Sequence, residues 1–204
     1  MHASVLLSAV LATAVLAQTP NTTVPATTKT LNLDYNGTVI TPGVLLPSTA
    51  VATQPDVYAG ADSQADLKYM IFMLDLTIPD SDVTSDVTQY STLVEGLGAN
   101  RTTRLHWWGG NYTLSSDGTF VNSSDCLAEY TSPRPRQGDI AHTYTLYLFN
   151  QPANYTPPEE ALNGSLYDQT SESRFNFSLT DVADIVGGPL AANYFTSEYT
   201  NSTS

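Results

Sequence analysis

Three histidines occur in the 204 residues, and two of them, His106 and His142, stand among other groups able to do chemistry. His106 lies in Arg104-Leu105-His106-Trp107-Trp108-Gly109-Gly110-Asn111. His142 follows Tyr130-Thr131-Ser132-Pro133-Arg134-Pro135-Arg136-Gln137-Gly138-Asp139-Ile140-Ala141 and precedes Thr143-Tyr144. Upstream, the apolar run Tyr69 to Leu74 passes into Asp75-Leu76-Thr77-Ile78-Pro79. An imidazole, neutral or protonated, donates N–H to an oxyanion, and backbone N–H groups left free by a proline-rich turn do the same. A nearby carboxylate fixes the ring tautomer or favours the charged ring. Two other chemistries are open to these residue types. Asp75, His106 and His142 could make a two-histidine, one-carboxylate metal set, but no His-X-His or His-Glu-X-X-His spacing holds them together, so neither a metal nor another cofactor is expected. A hydrolase needs an activated nucleophile beside one ring. The chain has no Gly-X-Ser-X-Gly elbow and Cys126 has no motif around it, so a binding module and not an enzyme is expected.

Charge narrows the partners. Seven Lys and Arg face 20 acids, a formal net charge of −13, which repels nucleic acid and anionic membrane surfaces while leaving room for one phosphate in a local pocket. The hydrophobic fraction of 41% can supply one sizeable core, so a single domain and a monomer are expected.

The elements that must position the two rings read as β. Leu31-Asn32-Leu33-Asp34-Tyr35 alternates apolar and polar, Asn36-Gly37 supplies a turn, and Thr38-Val39-Ile40 follows. Tyr69 to Leu76 and Tyr144 to Phe149 are nearly continuous apolar runs, suited to strands buried on both faces. Residues 79–103 and 152–173 read as long polar connections. Leu179 to Ile185 reads as a short helix begun at Thr180-Asp181 and stopped by Gly187-Gly188-Pro189, and Tyr194 to Tyr199 as a closing strand. Trp107 and Trp108 should point to opposite faces of one strand, Trp107 into the core and Trp108 outward, where a ligand or partner could use it.

Residues 1–17 read as a secretory signal, apolar and ending in small side chains before Gln18. Residues 18–30 form a Thr/Pro-rich flexible lead-in suited to O-glycosylation, 31–200 the domain, and 201–204 a short tail. Sequons start at Asn21, Asn36, Asn100, Asn111, Asn122, Asn154, Asn163, Asn176 and Asn201, as expected of an extracellular glycoprotein. No segment after the signal is long and apolar enough to span a bilayer as a helix, so no stable membrane insertion is expected. With Cys126 as the sole cysteine no intrachain disulfide can form, and a buried thiol is expected.

The three blocks, in their order, resemble the phosphatidylethanolamine-binding protein family, which includes the Raf kinase inhibitor and carboxypeptidase Y inhibitor proteins. The family pattern is an apolar strand ending Asp-Pro-Asp-Ala-Pro, then His-Trp with Asn shortly after, then Tyr, a proline-rich loop, Gly, and His-Arg-Tyr. Asp75 and Pro79 match the first block; His106, Trp107 and Asn111 the second; Tyr130, Pro133, Pro135, Gly138, His142 and Tyr144 the third. Leu76, Thr77 and Thr143 depart from it, replacing Pro, Asp and Arg. The likeness covers roughly Leu31 to Tyr199. It implies a mostly all-β architecture, a large central antiparallel sheet packed on a smaller one, with one short helix near the C-terminus. It also implies a small pocket in which His106 and His142 donate to a phosphate or carboxylate, Asp75 orients one ring, Tyr144 forms a wall, and Pro79 and Pro133 shape the rim. A small anion or phospholipid headgroup is the partner so implied; the alternative is a protease, with the chain acting as a serine carboxypeptidase inhibitor.

Overall fold

The computed structural model describes residues 18–60, 62–79, 101–122 and 124–199. The expected signal at 1–17, the tail at 201–204, the sequons at Asn100 and Asn201, and most of the expected 79–103 loop lie outside the described residues.

The centre of the fold is β5, Tyr69–Pro79, and its apolar run explains its place. Tyr69, Ile71 and Met73 enter one core cluster, whereas Met70, Phe72, Leu74 and Leu76 enter a second on the opposite face. A strand apolar on both faces is stable only with layers on both sides, each buried large side chain contributing about 1.5–3 kcal/mol. On either side of β5 run β6, Arg101–Leu114, and β8, His142–Asn150. Adding β3 (Val44–Pro47), β7 (Phe120–Val121) and β9 (Ala191–Glu198), the described residues form a six-stranded sheet in the order β3-β9-β8-β5-β6-β7. A three-stranded sheet, β2-β1-β4, is built from β1 (Asn32–Tyr35), β2 (Thr38–Val39) and β4 (Asp56–Tyr58). Leu33, Tyr35 and Val57 of this smaller sheet fill the first cluster. The second is covered by α1 (Glu159–Leu162) and α2 (Leu179–Val186) through Ala161, Leu179 and Val182.

The structure refines several expectations. The large sheet is mixed and not wholly antiparallel, because β3 runs parallel to β9, with Val44 opposite Phe195 and Pro47 opposite Glu198. Alternation of residue types reports which face is buried and is silent on strand direction. Helix α2 starts at Leu179, as expected, but its cap lies before the Thr180-Asp181 pair. Ser178 is the cap, its hydroxyl accepting from the Asp181 N–H, and Gly187 ends the helix at φ 91°, a conformation that glycine adopts without strain. The lead-in is tied down at its end, where the Ala192 N–H donates to the Lys29 carbonyl and the Leu31 N–H to the Ala192 carbonyl. Trp108 is fully buried, not outward-facing: the face opposite Trp107 is the second core, where its ring packs 4.8 Å from Phe72 and 5.9 Å from Phe177. Cys126 is partly buried, and burial raises its thiol pKa. Among the described residues no helix is long and apolar enough to cross a membrane.

Candidate functional site

One row across the large sheet assembles most of the site. Asp75 on β5 stands opposite Arg104 on β6 and Tyr144 on β8, and Tyr144 stands opposite Phe195 on β9. Cross-strand partners share a face, so the row brings Arg104, Asp75 and Tyr144 together at the sheet end. His106 joins them through an irregularity. Met73 pairs with Trp107 and Leu74 with Leu105, which leaves His106 as the extra residue of a bulge. A bulge re-aims side chains, and the His106 ring packs edge-on against Tyr144 at 5.2 Å.

The two histidines have opposite protonation states. His142 is clamped between carboxylates, its Nδ1 2.7 Å from Asp75 Oδ2 and its Nε2 2.9 Å from Asp139 Oδ2. Ionised carboxylates only accept, so both ring nitrogens carry hydrogen and the ring is an imidazolium. Burial alone would lower the His142 pKa, but the hydrogen bonds and charges of Asp75 and Asp139 together outweigh it and the net shift is upward. Arg101 holds Asp139 with a two-pronged pair at 2.8 and 3.0 Å, and this bond above all keeps the Asp139 carboxyl well below the usual range. The loop delivers Asp139 through Gly138, whose φ of 87° is open to glycine at no steric cost. Asp75 is itself fixed from the other side, Oδ1 accepting from the Thr77 N–H at 2.8 Å and the Thr77 hydroxyl at 2.9 Å. The Thr143 N–H in turn donates to the Thr77 hydroxyl oxygen at 2.9 Å. Thr77 and Thr143, two departures from the family pattern, thus form one bonded unit.

His106 is neutral. Its Nδ1 lies 2.7 Å from the Thr131 carbonyl oxygen, which can only accept, so Nδ1 carries a hydrogen, and in the neutral ring that burial favours Nε2 is bare. Burial pushes the His106 pKa down to about 4, Asp75 opposing the shift and Arg104 and Arg174 adding to it. Nε2 finds no partner although the residue is only 2% exposed. Thr131 is braced by Arg174, a fully buried residue that donates to the Thr131 hydroxyl at 2.9 Å and to the carbonyls of Leu166 and Glu129 at 2.8 Å each.

Asp75, His106, His142 and Tyr144 line a cavity of about 120 Å³ together with Arg104, Arg134 and Arg136. Ile78 and Phe175 complete it. Pro79 and Pro133 are not in the lining: Pro79 pairs with Arg101 at the end of β5, and Pro133 is buried in the loop that carries Arg134. The expected roles also change. His142 has both N–H groups committed to carboxylates, and His106 presents a lone pair, so in this arrangement neither ring donates to an oxyanion. The cavity's other N–H donors are its arginines. Asp75, His142, Asp139 and Arg101 alternate in charge and cancel, whereas Arg104 and Arg134 make no ion pair among the described residues. Arg104 stacks over the Phe175 ring at 5.1 Å and donates to the Gln169 carbonyl at 2.6 Å, which holds it in place. Rarity was the sequence signal for these residues: three of only seven Lys and Arg in an acidic chain border one small cavity.

Comparison with known proteins gives the fold its place. No family model matches the chain. A curated protein named Phomoidride biosynthesis cluster protein N, from Fungal sp. (strain ATCC 74256), is 38% identical over 98 residues, covering 45% of this chain. The chain thus spans under half of that relative, 43% of its length. Among solved structures, carboxypeptidase Y inhibitor complexed with its cognate proteinase superposes with a TM-score of 0.57 at 17% identity, over 86% of this chain and 85% of that one. The chain has the phosphatidylethanolamine-binding-protein fold. The CG7054 solution structure agrees, with a TM-score of 0.52 and 23% identity over 85% of this chain and 86% of its own. Within this fold the three blocks of the sequence meet at one end of the large sheet, with the arginine-lined cavity between them.

Proposed function

We propose that this chain, a binding protein of the phosphatidylethanolamine-binding-protein fold and not an enzyme, holds a small anion of the phosphate class in the cavity between Asp75 and Arg136. The observation that carries this is the basic lining. In a chain of net charge −13, Arg104, Arg134 and Arg136 border a space of about 120 Å³, room for roughly four waters. Guanidinium groups recognise tetrahedral oxyanions through paired N–H donors. A few such bonds with little apolar burial support a dissociation constant on the order of a millimolar. The test is a phosphate titration of wild type and of the double variant Arg134→Ala/Arg136→Ala, followed by amide chemical shifts. Losing two charge-assisted contacts of about 1.5–3 kcal/mol each should weaken binding more than about a hundredfold. Unchanged affinity in the double variant, or no binding by wild type, would defeat the proposal.

Action as a serine carboxypeptidase inhibitor is the second reading, and its support is the fold shared with an inhibitor solved on its cognate proteinase. Export and glycosylation also belong to the proposal. They are supported by the apolar N-terminus and by sequons at Asn21, Asn36, Asn154 and Asn163 that are exposed. Asn111 is a poorer acceptor, since its Oδ1 accepts from Lys68 Nζ at 3.3 Å and Gln151 Nε2 at 3.2 Å.

A further inference from the structure

The bare nitrogen of His106 restricts the ligand further, and the restriction rests on the anion-site reading above. The geometry points to inorganic phosphate, which still carries a proton near neutral pH and whose P–OH donates to His106 Nε2 while its other oxygens face the arginines. Three observations converge. The Thr131 carbonyl at 2.7 Å takes the Nδ1 hydrogen, so in the neutral ring the lone pair sits on Nε2. Nε2 has no partner in the protein although His106 is 2% exposed and lines the cavity. The other lining side-chain oxygens already have partners in the protein. The Asp75 oxygens are held by Thr77 and His142, and the Tyr144 hydroxyl faces Asp75. The groups that bear on His106, namely Asp75, Arg104, Arg174 and burial itself, sum to a strong preference for the neutral ring, so the lone pair persists at neutral pH.

An acceptor buried in a site of this kind selects against ligands without a matching donor, because filling the site then leaves the acceptor dry and unpaired. Sulfate has the shape and charge of phosphate but no proton near neutral pH. A phosphodiester, the linkage in a phospholipid headgroup, has no P–OH either. An ammonium on such a headgroup is the one feature that could donate in its place, and a cavity of about 120 Å³ leaves little room for it beside the phosphate.

The experiment compares inorganic phosphate, sulfate, dimethyl phosphate and glycerophosphoethanolamine as ligands of the full chain at neutral pH. Affinities are read from amide shifts, and the His106 ring nitrogens from long-range proton–nitrogen correlation. In the free protein His106 Nε2 should give an unprotonated, pyridine-type signal. Phosphate should move that signal and bind at least about tenfold more tightly than sulfate or dimethyl phosphate, the worth of one donor–acceptor match near 1.4 kcal/mol. In His106→Leu the preference for phosphate over sulfate should vanish while the arginines still bind both. Should that variant not fold, the nitrogen signal of the wild type decides alone. Equal affinity for phosphate and sulfate, both sensitive to Arg134→Ala/Arg136→Ala, would overturn this inference and leave the anion site standing. Binding of none of the four would overturn both. Glycerophosphoethanolamine binding as tightly as phosphate would make the ammonium the donor and would also overturn it.

Discussion

Replacing Asp75 by Asn removes one carboxylate from the His142 clamp without changing its size. Asp75 is fully buried, with Oδ2 on His142 Nδ1 at 2.7 Å and Oδ1 taking two hydrogen bonds from Thr77. An amide offers one acceptor oxygen. If that oxygen stays with Thr77, its NH2 faces the His142 N–H; if it turns to His142, the NH2 faces the Thr77 N–H. One donor is stranded either way, and one charge-assisted bond of about 1.5–3 kcal/mol is lost with it. Stranding an imidazolium in full would cost about 3–5 kcal/mol, but the ring can escape by losing its proton, so about 3 kcal/mol is expected below neutral pH. At about 2–4 °C per kcal/mol for a domain of this size, the melting temperature should fall by about 6–12 °C.

The pH dependence carries the sign. The folded pKa of His142 is raised, so its contribution is complete below the ordinary value near 6.5 and is lost as pH rises through the raised folded value. Asp139 has a depressed folded pKa and acts the other way, its contribution being lost only as pH falls below the ordinary carboxylate range. The gap in melting temperature between wild type and Asp75→Asn should therefore be widest near about pH 6 and narrow on the alkaline side. Circular-dichroism melts across that range, with ring-proton titration of His142 in both proteins, measure it. Equal melting temperatures, or a His142 pKa that does not drop in the variant, would refute the clamp.

Two further outcomes are expected. Arg174→Met leaves the Leu166, Glu129 and Tyr167 carbonyls and the Thr131 hydroxyl without their donor, so the urea midpoint should drop by the equivalent of about 3 kcal/mol, and phosphate affinity should drop with it because Thr131 positions His106; an unchanged midpoint would show that water replaces the guanidinium. Protein recovered from the medium of an expressing eukaryotic cell should begin at or near Gln18 and lose mass on N-glycosidase treatment, with glycans at Asn21, Asn36, Asn154 and Asn163; intracellular protein with an intact Met1 and no glycan would sink the export reading.

The strands most legible in advance were those whose side chains are buried on both sides. Tyr69 to Leu76 and Tyr144 to Phe149 lie within β5 and β8, β5 running on to Pro79 and β8 from His142 to Asn150. A continuous apolar run has no solvent face to offer, so its own composition determines that it is central. Asp75, His106, His142 and Tyr144 line one cavity, a meeting implied beforehand only by the family resemblance that the three blocks carry. What residue types could not convey was partnership. Whether His106 donates or accepts depends on the Thr131 carbonyl, and whether His142 is charged depends on Asp139, which reaches it by way of Gly138. His106 escapes the two-residue period of its strand because it is the extra residue of a bulge, so alternation assigns its ring to no definite face. Trp108 reads as outward when one core is assumed, and becomes the centre of a second core once α2 covers that face. Burial pattern is local and survives in the sequence. Hydrogen-bond partnership, protonation and strand direction are set by groups far apart along the chain, and only the tertiary structure decides them.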